Sequence, residues 1–179
     1  MATQAQIDEL FEKMAEERTA LLAALEGIDE EQAEVQPPEG EGEEGWSVKE
    51  QLTHLAGMDR SYRQWVIRAL AEDRPDTSDG NTPNIPLDVP QEEAHSADIP
   101  TLVAQMNAER AETLELARGI DAEQYERTAF VPAFGELTVM QWLRSYYRHD
   151  RMHRAQIRGE ESDYKPNFAE GASEAPARG

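Results

Sequence analysis

The chain contains no cysteine, which excludes disulfides, a thiolate nucleophile and any metal site built on cysteine. It also has few basic residues: 17 lysines and arginines stand against 37 acidic side chains, for a net charge of −20. Such a surface repels nucleic-acid phosphates and anionic membranes, so we expect neither as a partner. The apolar runs are too short to span a bilayer, and the polar, acidic N-terminus is unlike a signal peptide. We therefore expect a soluble, cytoplasmic protein whose partner is a small-molecule substrate.

Four segments have the apolar spacing of amphipathic helices, with apolar residues every three or four positions. They run from about Thr3 to Ile28, from Ser47 to about Asp73, from near Asp98 to Gly119, and from Thr138 to Gly159. Capping boxes, in which Ser or Thr is followed three positions later by Glu or Gln, mark the start of the first, second and fourth segments. Four helices of this length predict an all-α, antiparallel four-helix bundle. The stretch RTAFVPAFGELT (127–138) predicts a short extended piece and a turn before the fourth helix.

Two connections and a tail lie outside these helices. The stretch PPEGEGEEG (37–45) is acidic and rich in proline and glycine, and we expect a solvated loop. Residues 74–97 contain four prolines and no clear periodicity; loops of this length in compact domains are often lids or binding loops. Neither half of the chain has enough helices for a core of its own. We therefore expect one domain over residues 1–160, with 74–97 as a candidate lid, and a flexible tail over 161–179.

The first half of the chain is repeated in the second. Residues 17–32 align without gaps to residues 109–124, with eight of the sixteen positions identical. The two following helices align as well, in SVKEQL (47–52) and TVMQWL (138–143). The bundle is therefore expected to consist of two related helix pairs, packed about a pseudo-twofold axis.

The repeat includes two charged positions. Arg18 aligns with Arg110 and Asp59 aligns with Asp150, and each lies within the apolar stripe of its helix. Buried charges are tolerated only when they are paired and hydrogen-bonded. We interpret the four residues as two internal salt bridges. The functional alternative is that Asp59 or Asp150 orients a metal ligand or transfers a proton.

Three histidines are not repeated in the other half. His149 and His153 are four residues apart and project from one helix face, so their imidazoles can chelate one divalent ion. His54, on the second helix, can approach them in an antiparallel bundle. Three nitrogen ligands without cysteine suit Zn, Ni, Fe, Co or Mn, and leave coordination positions open, as at catalytic sites. The alternative is that the three are hydrogen-bonded core residues and the protein binds no metal.

Two motifs resemble a known family. The segment GWSVKEQLTHLAGMDRSY (45–62) resembles the second-helix signature, W-S-x-x-E/D-x-L-x-H-L, of the DinB-like (YfiT-like) four-helix bundle superfamily. The segment HDRMHRAQI (149–157) resembles its fourth-helix signature, H-x-x-x-H-x-x-Q-I, and the turn FGELTVMQWL (134–143) fits as well. The resemblance covers residues 3–160 and is greatest to the DfsB/ClbS-like subgroup.

The resemblance implies an antiparallel bundle, often a homodimer, with a divalent metal held by His54, His149 and His153. Family members include thiol-dependent transferases and isomerases that use mycothiol or bacillithiol. Others are metal-dependent hydrolases, and ClbS-like members protect against a genotoxin. Substrate-binding residues vary within the family, so the resemblance implies none of them here.

We therefore expect a metal-dependent enzyme that activates water or a low-molecular-weight thiol, as a hydrolase or an S-transferase. Zn or Ni is the expected ion, with Fe, Co and Mn as alternatives. A thiol would have to be a small molecule, because the chain has no cysteine. The competing hypothesis is a non-catalytic metal-binding bundle that acts in sequestration or stress response.

Several further residues are candidates for secondary roles. Asp150 follows His149 but points about 100° away around the helix, and Gln156 lies one turn beyond His153; both are weak candidates for a catalytic role. His95, in the long loop, is expected to be solvent exposed, and the alternative is that it closes the metal site. Four aromatic side chains are expected to pack in the core or to line an apolar wall of the site: Tyr62, Trp65, Trp142 and Tyr146.

Overall fold

The structure is a computed structural model that describes residues 1–38, 42–83, 90–164, 166 and 168. Its helices are α1 (Gln4–Ala23), α2 (Glu30–Ala33), α3 (Val48–Ala71), α4 (Gln91–His95), α5 (Ile99–Arg118) and α6 (Val139–Ile157). Two short 3-10 turns occupy Gly42–Gly45 and Gln124–Glu126, and two strands, β1 (Thr128–Val131) and β2 (Gly135–Thr138), form a hairpin. The long helices α1, α3, α5 and α6 form the predicted four-helix bundle. Over the described residues, no helix is both long and apolar enough to cross a membrane.

Local capping explains where the long helices begin. The three predicted capping boxes are present, at the starts of α1, α3 and α6. The carboxylate of Asp98 caps α5 by accepting a hydrogen bond from the backbone N–H of Thr101 at 2.9 Å. The predicted end of the first helix was wrong: α1 ends at Ala23, and the chain then turns through Gly27. Gly27 has a φ of +84°, a conformation that favours glycine.

The core has two layers, and their composition gives the direction of each helix. One layer contains the N-terminal halves of α1 and α6 and the C-terminal halves of α3 and α5. The other contains the opposite halves. Helices α1 and α6 therefore run in one direction, and α3 and α5 run in the other. The main packed pairs are α1 with α6, α3 with α5, and α3 with α6. Exchanging α1 with α5 and α3 with α6 leaves this set of pairs unchanged, as the predicted pseudo-twofold axis requires.

Between the two layers lies a network of four buried charges. The two predicted salt bridges are in fact one cluster, in which each arginine contacts both aspartates. Arg18 donates to Asp150 at 3.0 Å and to Asp59 at 3.1 Å, and Arg110 donates to each of the same carboxylates at 3.0 Å. Burial alone would raise the pKa of Asp150, but the guanidiniums of Arg110 and Arg18 outweigh burial and hold that pKa below its usual value. For Asp59 the balance is reversed, and burial raises its pKa against the same two guanidiniums.

The predicted extended piece before α6 is the hairpin of β1 and β2. The strands pair antiparallel from Thr128 opposite Thr138 to Val131 opposite Gly135. Thr138 then caps α6, so the hairpin delivers the chain directly into the helix that carries two of the histidines.

The long connection between α3 and α5 is attached to the bundle at both of its described ends. Arg68, on α3, donates hydrogen bonds to Asp79 at 2.7 Å and to Thr82 at 2.9 Å, and Asp76 bridges to Phe130 of β1. The end of the connection contains α4, which the sequence did not predict. Residues 84–89, the middle of the candidate lid, lie outside the described residues.

Candidate metal centre

The packing of α3 against α6 brings the three predicted histidines together. His54 lies in the first half of α3, and His149 and His153 lie in the second half of α6. Because these two helices run in opposite directions, those halves face each other at the same level of the bundle. The three side chains are buried, with exposed fractions of 3%, 5% and 0%.

The Nε2 atoms of all three imidazoles converge on one point. His149 Nε2 lies 3.2 Å from His54 Nε2 and 2.9 Å from His153 Nε2. A neutral imidazole nitrogen has either one N–H or one lone pair, so His149 Nε2 cannot form good hydrogen bonds with both neighbours. Nitrogens bound at about 2.0–2.1 Å to one tetrahedral ion lie about 3.4 Å apart. The convergence of three such nitrogens, more than their exact spacing, therefore suits a shared cation better than a hydrogen-bonded cluster.

A glutamine on α3 orients one of these rings. Gln51 donates from its Nε2 to the backbone carbonyl of Trp46 at 3.2 Å, so its Oε1 faces His153. The Nδ1 of His153 lies 3.2 Å from that oxygen and must carry the proton. The lone pair of His153 is consequently on Nε2, which is the atom that faces the other histidines. Such a partner on the outer nitrogen is typical of metal-binding histidines.

Burial also sets the charge state of the rings. It lowers the pKa of His149 and His153 well below the usual value, and the neighbouring imidazoles lower both further. Both rings are therefore neutral near pH 7, the form in which histidine binds metals.

A carboxylate completes the cluster. Glu43, in the 3-10 turn before α3, places Oε1 at 3.6 Å from His54 Nε2 and Oε2 at 3.8 Å from His153 Nε2. Within the described residues, one donor atom from each of Glu43 and the three histidines falls in a group spanning no more than 4.8 Å. The prediction that 37–45 is simply a solvated loop was therefore wrong for Glu43. Its signal in the sequence was weak, because four glutamates occur in that stretch and nothing distinguishes one of them.

The secondary candidates lie elsewhere or have other partners. His95 is half-buried rather than solvent exposed, and its Nε2 lies 3.0 Å from the hydroxyl of Ser47 at the start of α3. Both carboxylate oxygens of Asp150 accept hydrogen bonds from arginines, so this residue belongs to the charge network. Gln156 is half-buried beside His153, and its buried Oε1 has no hydrogen-bond partner among the described residues.

The four aromatic residues pack in the core beside the histidines. Tyr62 is the link, because its ring centroid lies 6.1 Å from that of His149 and 5.5 Å from that of Trp65. Trp142 and Tyr146 lie on its other sides, at 6.1 Å and 5.2 Å. All four are buried, so packing is their structural role, and Tyr62 connects that packing to the candidate metal site.

Comparison with known proteins agrees with this architecture. A family model described as the DinB superfamily matches residues 13–157. The uncharacterised protein YuaE of Bacillus subtilis (strain 168) is 26% identical over 147 residues, which cover 75% of this chain and 86% of YuaE.

Among solved structures, YfiT from Bacillus subtilis superposes with a TM-score of 0.71 at 19% identity, over 89% of this chain and 87% of YfiT. YfiT is described as a probable metal-dependent hydrolase with an unusual four-helix bundle topology. At this identity the likeness concerns the fold. The family model, which matches well over half of the sequence, decides the classification: this chain belongs to the DinB superfamily.

Proposed function

We propose that this protein is a divalent-metal-dependent hydrolase whose ion is held by His54, His149 and His153. The observation that carries the proposal is the convergence of three buried Nε2 atoms. His149 Nε2 lies 3.2 Å from His54 Nε2 and 2.9 Å from His153 Nε2. The description of YfiT as a probable metal-dependent hydrolase supports the same class of activity. When bound, a divalent ion would supply Lewis acidity that makes water a nucleophile near neutral pH.

The chain's own residues prepare this site for a cation. Burial keeps His149 and His153 neutral, so no proton has to be expelled near pH 7. Gln51 holds the proton of His153 on the outer nitrogen. Asp150 follows His149 in sequence and belongs to the buried network, in which two arginines pair with two aspartates.

A thiol-dependent transferase is the second candidate within the same chemistry. An ion that activates water also lowers the pKa of a bound thiol. Because the chain has no cysteine, the thiol would be an added small molecule such as mycothiol or bacillithiol, and adding one separates the two activities.

Metal content is the first measurement. We would analyse protein purified without a polyhistidine tag for transition metals, comparing wild type with His149→Ala and with His95→Ala as the matched control. We expect about one ion per chain in wild type and His95→Ala, and none in His149→Ala, with the helical circular dichroism retained in all three. Wild type that holds no ion, even after incubation with Zn, Ni or Mn, would overturn the proposal.

Activity is the second measurement. The metal-loaded wild type and His149→Ala would be screened against activated esters and amides, with and without an added thiol. We expect turnover that is lost in the variant and on chelation. A metal-loaded protein with no turnover above the variant would instead support a non-catalytic, sequestering bundle.

A further inference from the structure

The 3-10 turn Gly42–Gly45 brings a carboxylate onto the exposed side of the histidine cluster. Glu43 extends from this turn, and its two oxygens lie at 3.6 Å and 3.8 Å from the Nε2 atoms of His54 and His153 respectively. The proposed metal site holds three nitrogens, which leaves at least one coordination position to be filled. Glu43 is close enough to two of these nitrogens to fill one.

The distances distinguish direct binding from an indirect role. Four ligands of a tetrahedral ion are separated by about 3.4 Å. Oε1 of Glu43 is within a few tenths of an ångström of that separation from His54 Nε2, and so is Oε2 from His153 Nε2. A carboxylate that acted only through an intervening water would lie about one hydrogen bond, ~2.7 Å, beyond the fourth position. The structure therefore fits Glu43 as a ligand better than Glu43 as a base acting on a bound water.

Glu43 differs from the histidines in how firmly it is held. The histidines are buried on long helices, whereas the side chain of Glu43 is 25% exposed and extends from a turn of four residues with glycine at each end. Moving this turn breaks no contact between the long helices. A rotation of the Glu43 side chain toward solvent would uncover the fourth position.

We propose that Glu43 is a displaceable fourth ligand, which binds the ion in the resting protein and is replaced by an incoming oxygen- or nitrogen-donor anion. This inference rests on the proposed metal site. It deepens the proposed function in two ways. In the resting protein Glu43 fills the fourth coordination position, and an anionic donor group is the class of ligand that replaces it.

The test uses cobalt and azide as probes, with the full chain reconstituted with Co²⁺. Visible absorption of Co²⁺ reports the number and type of its ligands, and azide is a small anion that can take the fourth position. Wild type would be compared with Glu43→Ala and with Glu44→Ala, in which the exposed neighbouring carboxylate is removed as the matched control. Zinc affinity would be measured in the same three proteins by competition with a chelator.

We expect Glu43→Ala to retain the ion with an altered cobalt spectrum, to bind zinc about 10-fold more weakly, and to bind azide about 10-fold more tightly, with Glu44→Ala like wild type. At saturating azide, wild type should reach the same spectrum as azide-bound Glu43→Ala. Identical spectra and azide affinities in wild type and Glu43→Ala would show that Glu43 is not a ligand. Complete loss of the ion in Glu43→Ala would show a fixed ligand, and an ion absent from all three proteins would overturn the metal site itself.

Discussion

The two halves of the sequence repeat, α1 with α3 and α5 with α6, share a scaffold and differ in the histidines that they carry. Arg18 and Asp59 in the first pair match Arg110 and Asp150 in the second, and all four meet in one buried network. The histidines have no such counterparts, because the positions that align with them hold Ser145, Met58 and Tyr62. Requirements of folding act on both halves alike, so the comparison separates residues that hold the bundle from residues of the candidate metal site.

The two kinds of site also handle charge in different ways. The repeated network buries four full charges whose hydrogen bonds satisfy one another, and it lies between the two layers of the core. The unrepeated site buries imidazoles that burial keeps neutral, with a partly exposed carboxylate at its edge. The charges of the network are neutralised by one another within the protein. The nitrogens and the carboxylate of the second site would instead be stabilised by a bound cation.

The largest expected effect tests the repeated part. Arg110→Ala should lower the free energy of unfolding by about 3–5 kcal/mol, because it leaves buried carboxylates without a partner. The loss of free energy of unfolding in Arg18→Ala should fall in the same range, since both arginines contact the same two aspartates. Urea unfolding of metal-free protein measures both. Arg118→Ala, which removes an exposed arginine paired with Glu115, is the control and should change stability by less than about 1 kcal/mol.

A large loss in one arginine variant with none in the other would break the comparison. It would show that only one arginine of the network contributes to stability, and that equivalent positions of the sequence repeat are not equivalent in the folded protein.

A smaller effect, the pH dependence of stability, tests the histidines, which are not repeated. In metal-free protein, folding holds His149 and His153 neutral, while the unfolded chain protonates them near pH 6.5. Stability should therefore be complete above about pH 6.5 and decline as the pH falls toward the depressed folded pKa values. The slope is at most about 1.4 kcal/mol per pH unit for each histidine. Asp150, whose folded pKa is also depressed, loses its contribution only below its usual value near 3.8, outside this range.

Urea unfolding at pH 7.5, 6.5 and 5.5 measures this slope. His149→Phe keeps a ring in place and removes one titrating group, so its stability should depend less steeply on pH than that of wild type. Equal slopes in the two proteins would mean that His149 is not held neutral by the fold.

The smallest expected effect concerns the orientation of His153. Gln51→Leu removes the acceptor for its Nδ1–H while keeping a side chain of similar size. We expect zinc affinity to fall about 10-fold, with the stoichiometry unchanged, as measured by competition with a chelator. Gln64→Leu, at a half-buried position on the same helix, is the control. An unchanged affinity in Gln51→Leu would show that helix packing alone orients His153.

Much of the scaffold could be predicted, because its signals are local. The capping boxes at Thr3, Ser47 and Thr138 mark helix starts within a few residues of sequence, and the structure has each of them. The end of α1 was predicted too late, since apolar periodicity continues through the turn that Gly27 makes. The short α4 was missed because five residues are too few to show a period.

The candidate site was predictable in part. Histidine spacing on α6 and the repeat comparison singled out His54, His149 and His153, and the structure brings them together. Glu43 and the role of Gln51 were missed, because each depends on a contact with a distant residue. The charge network was predicted as two pairs, and the tertiary packing made it one cluster.

The sequence by itself determined the helices, their caps, the repeat and the presence of two positive and two negative charges in the core. Periodicity, capping and the burial of charge act on neighbouring residues or on one helix face, so they can be read from the sequence. Only the tertiary structure decided which helices pack side by side, with α1 beside α6 and α3 beside both α5 and α6. That arrangement sets which nitrogens meet and which of the many glutamates reaches them. Long-range placement depends on how four helix faces pack at once, which no local pattern specifies.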